Sequence, residues 1–340
     1  MTNPPFQINA KILKSVAQIC EKVGALSAQG MLQNNSPLLR RTNTIRSVQA
    51  SCAIEGNELD IQQVTALFDG KSVIGSATEV QEIRNALKTY EQASQWDHSA
   101  TEDLLEAHSL LMKGLLDDPG SYRRTGISIQ KGNQTMHLAP QATNVSGLMN
   151  DLFTWLKSTD EHPLISSSVF HYEFEFIHPF SDGNGRMGRL WQTIILNAWN
   201  PLFAYVPVET LIRDHQQEYY TALNLSNCTG SSTPFIEFML AIIESALDRV
   251  SVSDQVSDQV SDQVSDQVKS LIKTIAYESL GSNEIMDKLG IKHRPSFRKT
   301  RLNPALKLEL VEMTQPDSPK SPTQRYRLSE KGLGLLKVLS

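Results

Sequence analysis

The run His178-Pro179-Phe180-Ser181-Asp182-Gly183-Asn184-Gly185-Arg186-Met187-Gly188-Arg189 gathers an imidazole, a carboxylate, glycines and two guanidiniums into one turn-and-helix unit. An ordinary imidazole titrates near ~6.5, so His178 can take up a proton at neutral pH. Asp182 offers the hard oxygen that holds Mg²⁺ while the ion bridges phosphate oxygens. Gly183, Asn184 and Gly185 let backbone N–H groups approach an anion closely. Arg186 and Arg189 stand one helical turn apart and can face one ligand, gripping phosphate oxygens in pairs. Attack of a hydroxyl on a phosphate needs a base, an in-line phosphate and neutralisation of developing charge. These residues supply all three, and they point to chemistry on a nucleotide. The plainer alternative is a helix cap beside a structural salt bridge.

Such side chains must be held by regular elements. Leu190, Trp191, Ile194, Ile195 and Leu196 recur at helical spacing, which predicts a helix over 187–199 with the polar run at its N-terminus. Unpaired N–H groups there form an anion site. Phe180 reads as an apolar anchor for the loop.

The run matches the signature H-P-F-x-[DE]-G-N-[GK]-R-x-x-R at every defined position and so resembles the Fic (Fic/Doc) family. The resemblance implies a mainly α-helical bundle with a β-hairpin flap, moving AMP from ATP onto a protein Ser, Thr or Tyr hydroxyl. By resemblance His178 is the base, Asp182 holds Mg²⁺ and Arg189 meets the γ-phosphate of ATP. The phosphate-transferring Doc branch has lysine where this chain has Gly185, so glycine favours AMP transfer.

A second match lies upstream. Ser51-Cys52-Ala53-Ile54-Glu55-Gly56-Asn57 resembles the family's inhibitory motif, [ST]-x-x-x-E-[GN], on an N-terminal helix. A glutamate reaching Arg189 would form a bidentate ion pair and take the place of the γ-phosphate. In some relatives the same acid positions water for AMP removal, so de-AMPylation is the rival activity. Gly126 to Leu138 resembles the flap, which pairs with an extended target segment. Glu218-Tyr219-Tyr220-Thr221-Ala222-Leu223 and Asn227 resemble the adenine-pocket helix. Either Tyr219 or Tyr220 can be the ring on the base, the other being core.

The chain of 340 residues is 40% hydrophobic and 20% charged, an ordinary globular composition. Met1 to Ala10 lacks the pattern of a secretory signal, and no apolar run spans a bilayer. Cys20, Cys52 and Cys228 are few, odd in number and scattered, which fits a reducing compartment. A cytoplasmic protein without membrane association is expected. Charge is uneven. Residues 269–340 hold 14 Lys/Arg against 7 Asp/Glu, whereas 1–268 hold 18 against 30. A basic module on an acidic body points to an anionic partner.

Four regions are expected. An N-terminal helical region carrying the inhibitory motif covers 1–100, and the catalytic domain 101–250. A Val-Ser-Asp-Gln linker occupies 251–268, and a winged-helix-like domain 269–340. Helices are read at 8–28, 43–53, 60–69, 79–95, 101–116, 144–157, 164–177, 187–199, 208–226 and 234–250, and a hairpin turns at Lys131-Gly132-Asn133. In the linker Asp254, Asp258, Asp262 and Asp266 repeat at i,i+4 without basic partners, which disfavours an isolated helix. In the last region Ser296 to Leu308 reads as a recognition-type helix bearing Arg298, Lys299 and Arg301, with Pro304 either interrupting it or beginning part of it. Val311 to Met313 and Tyr326 to Leu328 read as wing strands. Partners admitted are a protein substrate (the chain itself included), DNA through 269–340, and a second copy. A DNA-binding regulator using the Fic site as a nucleotide sensor is the third reading.

Overall fold

The computed structural model describes residues 3–28, 37–126, 128–131, 134–263, 265–291, 293–315, 321 and 323–339. It divides into two compact units, 1–248 and 249–340. The protein is mainly α-helical.

The first unit runs α1 (Ala10–Ala28), α2 (Pro37–Ile54), α3 (Ile61–Phe68), α4 (Ala77–Gln92) and α5 (Thr101–Leu111). A hairpin of β1 (Ser128–Lys131) and β2 (Gln134–Leu138) follows. Then come α6 (Ala142–Ser158), α7 (Pro163–Ile177), α8 (Asn184–Trp199), α9 (Val208–Asp214), α10 (Gln216–Thr229) and α11 (Thr233–Gln263). α7 and α8 pack against each other at the centre. α7 is buried nearly all round, from Leu164 through Ile177, as befits a core helix. Phe153 of α6 meets Phe170 and Trp191 edge to face, joining α6, α7 and α8. α2 lies against α4, α8 and α9, burying Ile45, Val48 and Cys52.

Local chemistry explains the ends. Asp60 and Ser76 cap α3 and α4 with complete capping boxes. α2 stops where Gly56 takes φ 95° and the N–H of Asn57 reaches back to the Cys52 carbonyl at 3.1 Å. α8 starts at Asn184, three residues before the expected start, because Gly183 takes φ 82° as its N-cap. The expected helix over 208–226 is two helices meeting at His215. The hairpin is antiparallel, with an irregularity between Ile129 and Gln130. Ile127 and the turn residues Gly132 and Asn133 lie outside the described residues.

Much of the Val-Ser-Asp-Gln segment is helical, since α11 continues to Gln263. Propagating an existing helix needs no new nucleus, so weak local propensity does not stop it. Among the described residues no helix is long and apolar enough to cross a membrane.

The second unit contains α12 (Asp266–Ile275), β3 (Leu280–Gly281), α13 (Ser282–Lys288), α14 (Arg294–Phe297), α15 (Asn303–Lys307), β4 (Val311–Met313), β5 (Arg325–Leu328) and α16 (Glu330–Leu339). The strands form one antiparallel sheet in the order β3-β5-β4. Leu271, Ile272, Phe297, Leu302 and Leu335 lie in its core. The single helix expected over 296–308 is interrupted by a π turn at Arg298–Leu302. Pro304 has no N–H for the ladder, and the Asn303 N–H reaches Arg298 instead.

Candidate active site

The site assembles where α7 ends, α8 begins and the C-terminal turn of α2 arrives. His178 caps α7 in the left-handed region, φ 49° and ψ 64°, a costly conformation for a residue with a Cβ. Arg123 holds it there. Its Nε donates to the His178 carbonyl at 2.7 Å, and its terminal nitrogens donate to Ile177, Pro140 and Thr125 carbonyls at 3.2, 2.6 and 2.9 Å. This buried guanidinium thus satisfies the last carbonyls of α7 and ties them to residues on both sides of the hairpin.

The loop from Pro179 to Gly183 is fixed by two further side chains. Asn184 accepts from the Phe180 N–H and donates to the Phe180 carbonyl, both at 2.9 Å. His108 stacks on the Phe180 ring with centroids 3.6 Å apart. Its Nδ1 accepts the Gly120 N–H at 2.8 Å, so Nε2 carries the proton and donates to the Asp182 carbonyl at 3.0 Å. Burial drives His108 down to about 4, so it is neutral. A Cβ on Gly183 would stand 2.7 Å from the Met112 sulfur, so glycine is required there for space as well as for backbone.

The α8 N-terminus presents its unpaired N–H groups beside two differently used arginines. Arg186 pairs with Glu82 of α4 and with Asp182, each at 3.1 Å. Glu82 also accepts from Asn57 at 2.9 Å, so it links the turn after α2 to the loop. Asp182 accepts the Gly183 N–H at 2.6 Å while its side chain stays 58% exposed.

Arg189 is buried, and its Nη2 meets Glu55 Oε1 at 2.7 Å. Its other contacts are the Ser51 hydroxyl at 3.1 Å and the Ser51 carbonyl at 2.9 Å. The expected bidentate carboxylate pair is therefore corrected: one Glu55 oxygen and Ser51 share the fork. Burial is the largest influence on Arg189 and opposes its charge, but the Glu55 carboxylate, Tyr219 and Glu175 together outweigh it and hold the guanidinium above its ordinary value. A Cβ at Gly185 would overlap Glu55 Oε1 and stand 3.0 Å from Arg189 Nη1. Gly185 thus makes room for the glutamate.

The two candidate tyrosines separate. Tyr219 is buried and donates its hydroxyl to His171 Nε2 at 3.1 Å, while His171 Nδ1 donates to Gln192 at 2.6 Å. As a ring stacked on a base Tyr219 is corrected to core, because it packs inward among His171 and Phe235. Tyr220 is half-buried and receives Gln216 at 3.4 Å, and Gln216 also donates to the Ile54 carbonyl. Asn227 accepts the Tyr172 hydroxyl at 3.0 Å. Among the described residues no cluster of three His, Cys, Asp or Glu forms a metal cage. Mg²⁺ needs none, since one carboxylate with water and phosphate oxygens suffices.

Sequence reasoning brought His178, Asp182–Arg189 and Glu55 to one place, and missed Arg123, His108, Glu82 and Ser51. The charge on Arg123 and the position of Ser51 in the upstream motif were the available signals.

A mainly helical bundle presenting a histidine, a glycine-lined helix N-terminus and a buried arginine defines a Fic-type fold. The profile described as Fic/DOC family matches residues 98–196. The one described as Filamentation induced by cAMP protein Fic-like, C-terminal domain, matches 266–329. A Fic family protein of Desulfovibrio desulfuricans G20 is 52% identical, covering 97% of this chain and 99% of that one, with a TM-score of 0.73. This chain belongs to the Fic family. The fold alone is shared with Fic-1 of C. elegans (residues 134–508), at 22% identity and a TM-score of 0.56 over 71% of this chain and 74% of that one. The protein named Protein adenylyltransferase Fic of Culex quinquefasciatus is 29% identical over 69% of this chain and 47% of its own length. That of Aedes aegypti is 31% identical over 60% and 41%. The chain spans about half the length of these curated relatives.

Proposed function

We propose that this chain transfers AMP from Mg·ATP to a side-chain hydroxyl of a protein, its own chain included, and that Glu55 restrains the reaction by occupying Arg189. The observation that carries the reading is the 2.7 Å Glu55–Arg189 pair set beside His178 and the α8 N-terminus. His178 accepts the hydroxyl proton as the oxygen bonds to the α-phosphorus. The bond from that phosphorus to its bridging oxygen breaks, and pyrophosphate leaves. Asp182, with its half-exposed carboxylate at the phosphate cradle, is the residue to hold Mg²⁺, which neutralises phosphate charge when bound. Arg189 would grip the γ-phosphate once Glu55 yields. With Glu55 in place, ATP binds with its α-phosphate out of line, and misalignment alone costs ~100-fold or more in rate. Tyr220 and Asn227 face the adenine in this reading.

ATP labelled in the α-phosphate or in the γ-phosphate tests the chemistry. The Glu55→Gly variant should place only the α label on protein, and His178→Ala neither. Appearance of the γ label on protein would replace AMP transfer with phosphate transfer. A second reading, removal of AMP by a water held on Glu55, is favoured by the 35% exposure of that side chain beside an otherwise buried partner. It requires AMP release that disappears in Glu55→Gly.

The second unit supports a separate proposal, DNA binding by a winged-helix module. Arg298 and Lys299 are exposed at the π turn, where they can meet phosphates. Affinity of the whole chain for duplex DNA should then fall steeply with salt, and absence of binding at low salt removes the proposal.

A further inference from the structure

We propose that Glu175 is a positioning residue for His178. Its carboxylate takes the imidazole Nδ1–H, fixes the tautomer whose lone pair is on Nε2, and stabilises the imidazolium formed when Nε2 receives the hydroxyl proton. The inference rests on the transfer reading above.

Glu175 stands three residues before His178 on the last turn of α7, with Oε2 at 3.9 Å from Nδ1 and the two side chains 13% and 18% exposed. That separation is a poised contact, of the kind that tightens when the base becomes charged. The other carboxylate oxygen, Oε1, is buried without a hydrogen-bond partner. Burying an unsatisfied carboxylate oxygen is costly, and its retention beside a catalytic base asks for a reason. Space is kept for it: a Cβ on Gly188 would stand 3.0 Å from Oε1 and 2.9 Å from His171 Cδ2. Gly188 occupies one of the two positions that the signature leaves open between Arg186 and Arg189.

The charged and titratable groups facing Glu175 are His178 and His171 on its own helix, Arg189 of α8, Glu55 after α2, and the phenols Tyr219 and Tyr220 of α10. Burial pushes the Glu175 carboxyl up to about 7, into the range where imidazoles titrate. In the transfer step the hydroxyl proton goes to Nε2, the new bond is oxygen to α-phosphorus, and pyrophosphate carries away the broken bond's electrons. Glu175 itself is unchanged, as the acid of a base-orienting triad is.

The full chain labelled with ¹⁵N-histidine gives a readout independent of turnover. It holds eight histidines, and the His178 signal is the one missing from His178→Ala. Glu175→Gln should lower the His178 titration midpoint by ~1 pH unit and redistribute its neutral tautomers, with Glu175→Asp in between. An unchanged midpoint and tautomer ratio would overturn the proposal, as expected if Glu175 served only to balance Arg189 or to pack. In the Glu55→Gly background Glu175→Gln should reduce kcat ~10- to 100-fold, leave KM for ATP nearly constant and shift the acid limb of the pH profile. Equal kcat and an identical profile would also overturn it. If Glu55→Gly alone transfers nothing, the transfer reading fails by itself, and the histidine titration still decides the Glu175–His178 contact.

Discussion

Glu55 and Arg189 are separated by 134 positions in the chain, yet Glu55 Oε1 lies 2.7 Å from Arg189 Nη2. The arginine is buried and cannot leave. The glutamate ends a helix on a glycine turn and reaches in over Gly185. The more exposed partner of the pair is thus the one proposed to restrain the reaction, and the buried partner is the one proposed to grip phosphate.

Ser51 shares the Arg189 fork through its hydroxyl and its carbonyl. Ser51→Ala removes only the hydroxyl contact. It should lower stability by ~1 kcal/mol in denaturant unfolding and loosen the Glu55 contact, raising basal transfer several-fold toward that of Glu55→Gly. Basal transfer equal to the parent's would show that Ser51 does not support the inhibitory geometry.

Gly185 and Glu55 compete for one volume. Gly185→Ala should destabilise the parent by ~1–3 kcal/mol through overpacking and Glu55→Gly much less, since the clashing oxygen is gone. A double-mutant cycle on unfolding free energies checks this, with a coupling energy above ~0.5 kcal/mol expected for residues in contact.

Arg123 satisfies four carbonyls around His178 and pairs with no carboxylate among the described residues. Arg123→Met should cost ~2–4 kcal/mol by leaving buried carbonyls unpaired. It should also abolish transfer in the Glu55→Gly background, because the left-handed turn at His178 loses its support. Thermal unfolding and labelled transfer measured on the same sample separate the two effects.

Buried titratable groups pull the pH dependence in opposite directions. Burial holds His108 at about 4 and His171 at about 3, below the unfolded value near ~6.5. The unfolded state therefore binds their protons first, and stability falls as pH drops below ~6.5 through 4 and 3. Burial raises Glu173 and Glu175 to about 7, above the unfolded value near ~4.3. The folded state binds those protons first, so their contribution is present below ~4.3 and is lost as pH rises through 7. Between ~4.5 and ~6.5 the two pairs offset each other; at lower pH only the histidines still act. Denaturant midpoints followed against pH should show His171→Asn losing acid sensitivity relative to the parent below pH ~4.5.

The helices were legible wherever apolar spacing ran unbroken, as from Leu190 to Leu196, and the signature placed the loop and cradle together. What escaped is non-local or backbone-mediated. Arg123 and His108 act on carbonyls, which carry no sequence signal. Glu82 matters only because α4 packs beside the turn at Gly56. Consecutive helical residues such as Tyr219 and Tyr220 point about 100° apart, and composition does not say which is inward. The break at His215 has no glycine or proline to announce it. The segment after Val250 looked too poor in helix formers, yet propagation from the preceding turns carries it to Gln263.

Initial rates of α-labelled AMP incorporation by the parent and by Glu55→Gly, at one ATP concentration and with one protein acceptor, compare the cradle with and without its glutamate. Release of Arg189 should raise the rate ~100-fold, with His178→Ala in the same background remaining at zero. Equal rates for the parent and Glu55→Gly would contradict the assignment of Glu55 as the restraint on this site.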